Sequence, residues 1–177
     1  MSSSIHLVLG GSRSGKSCHA ESVAAASGMP VCYMATCLTA IADDEMLARI
    51  TAHRTRRPTH WKTIENRYDL QNQILENKGS LLLVDCLTLW LSMLQSQARS
   101  PESILAELEQ ALEAARDQPS GAILLVSNDV GSGLVPVTPE GRSFRDLCGS
   151  ANQLVARHAT KVEFMVAGLP LLLKGGA

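Results

Sequence analysis

The chain has 177 residues, with 16 lysines and arginines against 17 aspartates and glutamates, and is 45% hydrophobic and 19% charged. Those figures fit one ordinary globular domain over residues 1–177, because disorder would need far fewer apolar residues, and a net charge of -1 argues against nucleic-acid binding by bulk electrostatics. Aromatic residues are only 3% of the chain, which argues against base-stacking platforms and for an aliphatic core.

In chain order, Ile5 to Leu9 reads as a buried strand that passes straight into glycines, with no cationic region before it, so no signal peptide is expected. Gly10-Gly11-Ser12-Arg13-Ser14-Gly15-Lys16-Ser17 follows and matches the phosphate-binding pattern G-x-x-x-x-G-K-[ST]. Its glycines let successive N–H groups face phosphate oxygens, and the helix that follows adds its positive end. Lys16 is placed to reach the β and γ phosphates and Ser17 to ligate Mg²⁺. Lys16 to Ala26 reads as that helix, ending at Gly28-Met29-Pro30, and Val31 to Ala35 as the second strand.

A helix is expected from Asp43-Asp44-Glu45 through Arg49, His53, Arg54, Arg56 and Arg57 to Pro58. Acids in its first turn and cations in its last suit a surface helix through the macrodipole alone. Arg49, His53 and Arg57, however, fall at i, i+4 and i+8, which on one face would give an imidazole flanked by guanidinia, a phosphate-shaped site. Arginines beside His53 favour a neutral, nucleophilic ring able to attack phosphorus.

Leu81 to Asp85 is the third strand, and Asp85 is either a strand-end cap or, given the phosphate loop, the carboxylate that orients magnesium. Pro101 to Arg116 is a helix with Ser100 as N-cap, Ala122 to Ser127 a strand, Ser143 to His158 a helix and Val162 to Ala167 the last strand. The strands are continuously apolar, as expected of a parallel sheet covered by helices on both faces, so the class is α/β. The apolar run Phe164 to Leu173 holds Gly168 and Pro170 and is about half the roughly 20 residues of a membrane helix, so no membrane span is expected. Cys18, Cys32, Cys37, Cys86 and Cys148 form no CxxC pair and read as reduced thiols of a cytoplasmic protein. His6, His19, His60 and His158 are assigned to packing or surface.

The phosphate loop at 10–17, Met34-Ala35-Thr36, the block D-D-E-M-L-A-R-I-T-A-H-R-T-R-R-P at 43–58 and V-D-C-L-T-L-W-L at 84–91 occur together with Asn128-Asp129-Val130-Gly131, Val135-Pro136, Phe144-Arg145-Asp146 and Asn152-Gln153. Over essentially its whole length the chain resembles the bifunctional adenosylcobinamide kinase/adenosylcobinamide-phosphate guanylyltransferases of cobalamin biosynthesis. The resemblance implies a RecA-like P-loop NTPase fold, mostly parallel, assembled as a homotrimer. It implies phosphorylation of adenosylcobinamide with ATP or GTP, then transfer of GMP from GTP to adenosylcobinamide phosphate through a guanylylated histidine, matched here by His53. Nucleotide contacts would fall on Gly10 to Ser17, on Met34, Ala35 and Thr36, on Arg54, Thr55, Arg56 and Arg57, and on Glu65 and Asp85, with Mg²⁺ at Ser17 and Asp85. The family's Asn-Glu-Val-Gly appears here as Asn128-Asp129-Val130-Gly131, with a carboxylate one methylene shorter. Two rivals are a different small-molecule kinase, with the 43–58 segment as a lid, and a nucleotide switch. The switch is weakened because the chain has no N-K-x-D guanine motif.

Overall fold

A computed structural model describes residues 4–37 and 44–175, apart from the side chains of Met46 and Arg49. In chain order the elements are β1 (Ser4–Gly10), α1 (Lys16–Ala26), β2 (Val31–Ala35), α2 (Asp44–Arg56), β3 (Lys62–Glu65), α3 (Leu70–Glu76), β4 (Leu81–Asp85), α4 (Leu87–Ser96), α5 (Pro101–Arg116), β5 (Ala122–Asn128), α6 (Pro139–His158), β6 (Lys161–Val166) and β7 (Leu169–Lys174). The five apolar runs are the five inner strands of one seven-stranded sheet, ordered β3-β2-β4-β5-β1-β6-β7. All neighbours pair in parallel except β6 and β7.

Each inner strand buries both faces, which is why its sequence is apolar without alternation. Leu7, Leu82, Val84, Ile123 and Leu125 pack toward Trp90 of α4, Leu108 of α5 and Val155 of α6. Val8, Tyr33, Leu83, Leu124 and Val126 pack on the opposite face with Ala20 and Ala24 of α1. The core is not purely aliphatic as expected: Trp90 and Tyr33 are the two largest fully buried side chains. Each has a polar tip that finds an acceptor, Trp90 Nε1 donating to Tyr68 O at 2.7 Å and Tyr33 OH to Asp85 at 2.7 Å.

Several boundaries differ from the sequence reading, most by a residue or two at an end. The helix expected from Ser143 starts at Pro139, because Thr138 caps it, accepting from Gly141 N–H at 3.1 Å, and proline takes the first helical position. The run Phe164 to Leu173 is a hairpin: Ala167 and Gly168, both at positive φ, turn the chain from β6 into antiparallel β7. The last inner strand therefore stops at Val166, one residue before the expected Ala167.

One polar cluster is built into the sheet beside α1. Glu163 on β6 accepts from His6 of β1 at 2.8 Å and His19 of α1 at 2.9 Å, and pairs with Lys161 at 2.8 Å. Burial would raise its carboxyl, but Lys161, His19 and His6 outweigh that and pull it down to about 2. The cluster ties the phosphate-loop helix to the two strands beneath it.

Candidate functional site

A sharp strand-to-helix turn needs residues without side-chain bulk, and the phosphate loop supplies them. Gly15 caps α1 at φ 93°, a conformation open mainly to glycine. A Cβ on Gly10 would collide with Ser14 Oγ and come within 2.9 Å of Met165 O. The β6–β7 turn braces the loop from outside, Gly168 N–H donating to Ser14 O at 3.0 Å. Ser14 Oγ is buried with no partner among the described residues, an orphan that a phosphate oxygen or water would satisfy. Lys16 donates to Gly11 O at 2.9 Å, and burial holds its ammonium below its ordinary value, partly opposed by Cys86 and Asp85.

Asp85 closes β4 beside the phosphate-loop serine. It accepts from Ser17 Oγ at 3.3 Å through one oxygen and from Tyr33 OH at 2.7 Å through the other. Burial, then Asp85, raises the Tyr33 phenol well above its ordinary range, so it remains a donor. The hard oxygens of Ser17 and Asp85 are the donor type that Mg²⁺ takes.

His53, near the end of α2, enters this site. Its Nδ1 lies 3.2 Å from Arg56 Nη2 and 3.7 Å from both Glu21 Oε1 and Asp85 Oδ2. A guanidinium can only donate, so that contact is a hydrogen bond in the tautomer whose Nδ1 is the acceptor. Arg56 also bonds both Glu21 oxygens at 3.3 Å. Burial would raise the Glu21 carboxyl, but His53 and Arg56 outweigh it and hold it below its usual value. Nδ1 and the two carboxylates come within 4.8 Å of one another. A guanidinium bonded to two of the three, Glu21 and His53, pairs those two, while Asp85 is bonded to Ser17 and Tyr33.

The cationic surround expected for the imidazole is therefore mixed. Arg49's side chain and Asp43 lie outside the described residues. Arg57 follows the end of α2, but its guanidinium stacks 3.8 Å over the Tyr33 ring and its Nε is buried with no partner among the described residues. Arg54 turns away to Glu65, with bonds of 3.0 and 2.7 Å. The argument for a neutral ring from arginines alone does not carry over, since two carboxylates also face it.

A cavity of about 230 Å³ brings together Lys16, Ser17, Ala35, His53, Arg57, Glu65 and Asp85 of the expected residues. Arg54 lines an adjacent groove with Arg57 and Glu65. Three expected residues are turned elsewhere. Met34 is fully buried in the core, Thr36 exchanges hydrogen bonds of 2.7 and 2.8 Å with the Cys86 backbone, and Thr55 bonds back to Thr51 O at 3.0 Å on an exposed face. Sequence reasoning left out Glu21, Tyr33 and Asn128. Glu21 lies one turn after Ser17 on α1, so a carboxylate on the face of the phosphate-loop serine was the available signal. Asn128 ends β5 and lines the cavity.

The family model described as cobinamide kinase / cobinamide phosphate guanyltransferase matches residues 6–173. The chain is 45% identical to a bifunctional adenosylcobalamin biosynthesis protein of Pseudomonas aeruginosa, covering 96% of each chain. It is 37% identical to the protein of that name from Escherichia coli, covering 95% of this chain and 98% of the relative. Among solved structures, a Pyrococcus horikoshii protein superposes with a TM-score of 0.60 at 9% identity, over 99% of this chain and 88% of its own. An ATPase of a bacterial type III secretion system superposes at 0.59 with 13% identity, over 96% and 56%. Those two likenesses concern the fold alone, which with the phosphate loop at 10–17 is a P-loop NTPase of the RecA-like kind.

Proposed function

The chain belongs to the cobinamide kinase / cobinamide phosphate guanyltransferase family, and from that premise we propose that it performs both reactions. ATP or GTP phosphorylates the aminopropanol hydroxyl of adenosylcobinamide, and GMP from GTP is then transferred to that phosphate through His53. The observation that carries the role of His53 is its position: Nδ1 stands 3.7 Å from Asp85, which accepts from the phosphate-loop Ser17. A histidine of a surface helix has no structural need to meet that pair.

In the guanylyl step, an imidazole nitrogen attacks the α-phosphorus of GTP. A P–N bond forms, the P–O bond to the β-phosphate breaks, and pyrophosphate leaves with the bonding pair. The acceptor phosphate oxygen then attacks the same phosphorus, the P–N bond breaks and adenosylcobinamide-GDP departs. Dividing one transfer into two displacements is the usual gain of covalent catalysis. Lys16, the loop N–H groups and Arg57 hold the charge of the triphosphate. Arg57 suits this because its buried Nε has no other partner among the described residues. Mg²⁺ held by Ser17 and Asp85 would supply neutralisation of the leaving pyrophosphate.

The homotrimer is part of the same proposal. In its support, β7 is an edge strand whose Leu169, Leu171, Leu172 and Leu173 are all exposed, a surface that single chains rarely leave bare. The cytoplasmic setting is supported by five free cysteines. No described helix is long and apolar enough to cross a membrane.

The test is incubation with Mg²⁺ and GTP labelled at the α-phosphate, followed by denaturation. An acid-labile, alkali-stable adduct is expected and should vanish in His53→Ala. An adduct that survives in His53→Ala refutes the assignment, and absence of any adduct together with transfer of label from γ-labelled ATP or GTP to adenosylcobinamide, in a parallel incubation, favours a kinase alone.

A further inference from the structure

The proposed reactions leave Asn128 and Asn152 without a role, although Asn128 lines the cavity and Asn152 is bonded to Asn128. Along β5, Ile123 and Leu125 pack toward α4, α5 and α6, and Leu124 and Val126 toward α1. Alternation therefore turns Ser127 to the first face and Asn128 to the second, the face of the phosphate-loop helix. Strand β5 lies between β4 and β1. Asn128 is level with Gly10, where the phosphate loop begins, and Val126 with Asp85, so Asn128 stands two residues, about 7 Å, beyond Asp85. On the far face a polar network fixes its backbone. Thr88 Oγ1 of α4 accepts from Asn128 N–H at 2.8 Å, and Asn152 Nδ2 of α6 donates to Asn128 O at 3.2 Å. Asn152 Oδ1 accepts from Ser127 Oγ at 2.7 Å, and the Ser127 and Thr88 hydroxyls lie 3.4 Å apart. Thr88 and Ser127 are buried, and asparagine is a poor residue for the interior of a 20-residue helix. Apolar side chains would fill the same space at less cost, since buried polar groups are costly unless each is paired. What the network delivers is one fixed backbone geometry at Asn128, whose own amide makes no hydrogen bond among the described residues.

We propose that Asn128 is a catalytic residue of phosphoryl transfer, its side-chain N–H donating to an oxygen of the nucleotide's terminal phosphate, and that Asn152 is the positioning residue that aims it. The inference rests on the function proposed above and adds to it a group that works on the γ-phosphate. Placement picks that phosphate. In a loop of this pattern Lys16 and the backbone amides take the β and γ phosphates, so the terminal one faces the space between Gly10 and Asp85 that Asn128 closes from β5. In the transfer, the acceptor hydroxyl oxygen bonds the γ-phosphorus. The bond to the β-phosphate oxygen breaks with its pair on the departing diphosphate, and the hydroxyl proton passes to water. Charge is spread over the equatorial phosphoryl oxygens, and a fixed donor there stabilises it without moving a proton. An amide does this, whereas the isosteric aspartate would set an anion against an anion.

The test measures transfer of label from γ-labelled GTP to adenosylcobinamide by the full-length protein, with GDP affinity read alongside because GDP lacks the terminal phosphate. Asn128→Ala should lower kcat about a hundredfold, the usual cost of one such donor, and Asn128→Asp further, with Kd for GDP within about threefold of wild type. Asn152→Ala should lower kcat about tenfold. Combined with Asn128→Ala it should cost nothing more, because it acts only through Asn128. Thr88→Val removes the other anchor while keeping its shape, and carries the same cycle if Asn152→Ala no longer binds GDP. A kcat within about threefold of wild type in either Asn128 variant overturns the inference. So does a loss of GDP affinity equal to the loss of kcat, which would make Asn128 a general nucleotide contact. Additive effects of the two substitutions overturn the role of Asn152. A wild-type protein that loads GMP without transferring the γ-phosphate overturns this inference alone, whereas one that does neither overturns the underlying function as well.

Discussion

Replacing Glu163 with glutamine removes the anion that gathers His6, His19 and Lys161 beneath the phosphate-loop helix. In the fold its carboxyl is held at about 2 against an ordinary 4.5. At about 1.4 kcal/mol per pH unit, that difference is worth about 3 kcal/mol of stability at neutral pH. A depressed carboxyl contributes stability that is complete above 4.5 and is lost as pH falls through about 2. His6, which burial holds below 6.5 despite Glu163, acts in the same direction but higher, its share being lost as pH drops below 6.5. Urea unfolding of both proteins across pH 3–7 separates the two. Glu163→Gln should be less stable by about 3 kcal/mol at pH 7, with the gap narrowing to about 1 kcal/mol at pH 3. A slope near pH 6 should remain in the variant. A gap that is flat from pH 7 to pH 3, or absent at pH 7, would refute the claim that this cluster fastens α1 to the sheet.

Lys16→Ala should cut both GMP loading and acceptor phosphorylation by at least a hundredfold, because one phosphate loop serves both; steady-state assays with each nucleotide check this, and survival of either activity would require a second nucleotide site. Glu21→Ala should slow single-turnover GMP loading about tenfold, a barrier increase of about 1.4 kcal/mol, with little change in GTP affinity. The reason is that Glu21 both binds Arg56 and lies 3.7 Å from the His53 ring; unchanged loading with weakened GTP binding would instead make it a nucleotide contact.

What the sequence made legible was whatever is local or buried on two sides. The phosphate loop is eight consecutive residues between a strand and a helix, and the five inner strands announce themselves by continuous apolar runs. The two strands that escaped are the two edges. Lys62–Glu65 is short, with its first two residues exposed and only Ile64 buried, and β7 is fused by composition to β6, its turn marked only by Ala167 and Gly168. The helix α4 escaped because Leu87–Ser96 is apolar, Thr88 apart, through its first turn and a half and its exposed face is marked only late, by Ser92, Gln95 and Ser96: six of its residues are buried, among them Leu87, Thr88 and Trp90. The site was legible as a residue inventory but not as a set of pairings. That Arg56 and not Arg57 meets His53, and that both do so beside Glu21, depends on how α2 lies against α1, which no spacing within either helix encodes.

Those pairings explain how a chain of net charge -1 can serve triphosphates. Its site cations are held by acceptors from the chain itself: Lys16 by Gly11 O, Arg56 by Glu21 and Arg54 by Glu65. The Arg54–Glu65 pair is half open to solvent on the arginine side, and exposed pairs are worth only about 0–1 kcal/mol, so little is lost when such an arginine turns to another anion. A phosphate offers charge-assisted bonds roughly twice as strong as neutral ones. Exchange of one anionic partner for another therefore needs no standing excess of positive charge, and Glu21, when Arg56 leaves it, stays beside the imidazole. Glu21 thus has two consequences from one position: it pairs with Arg56, and it lies within reach of His53, the ring proposed to take GMP.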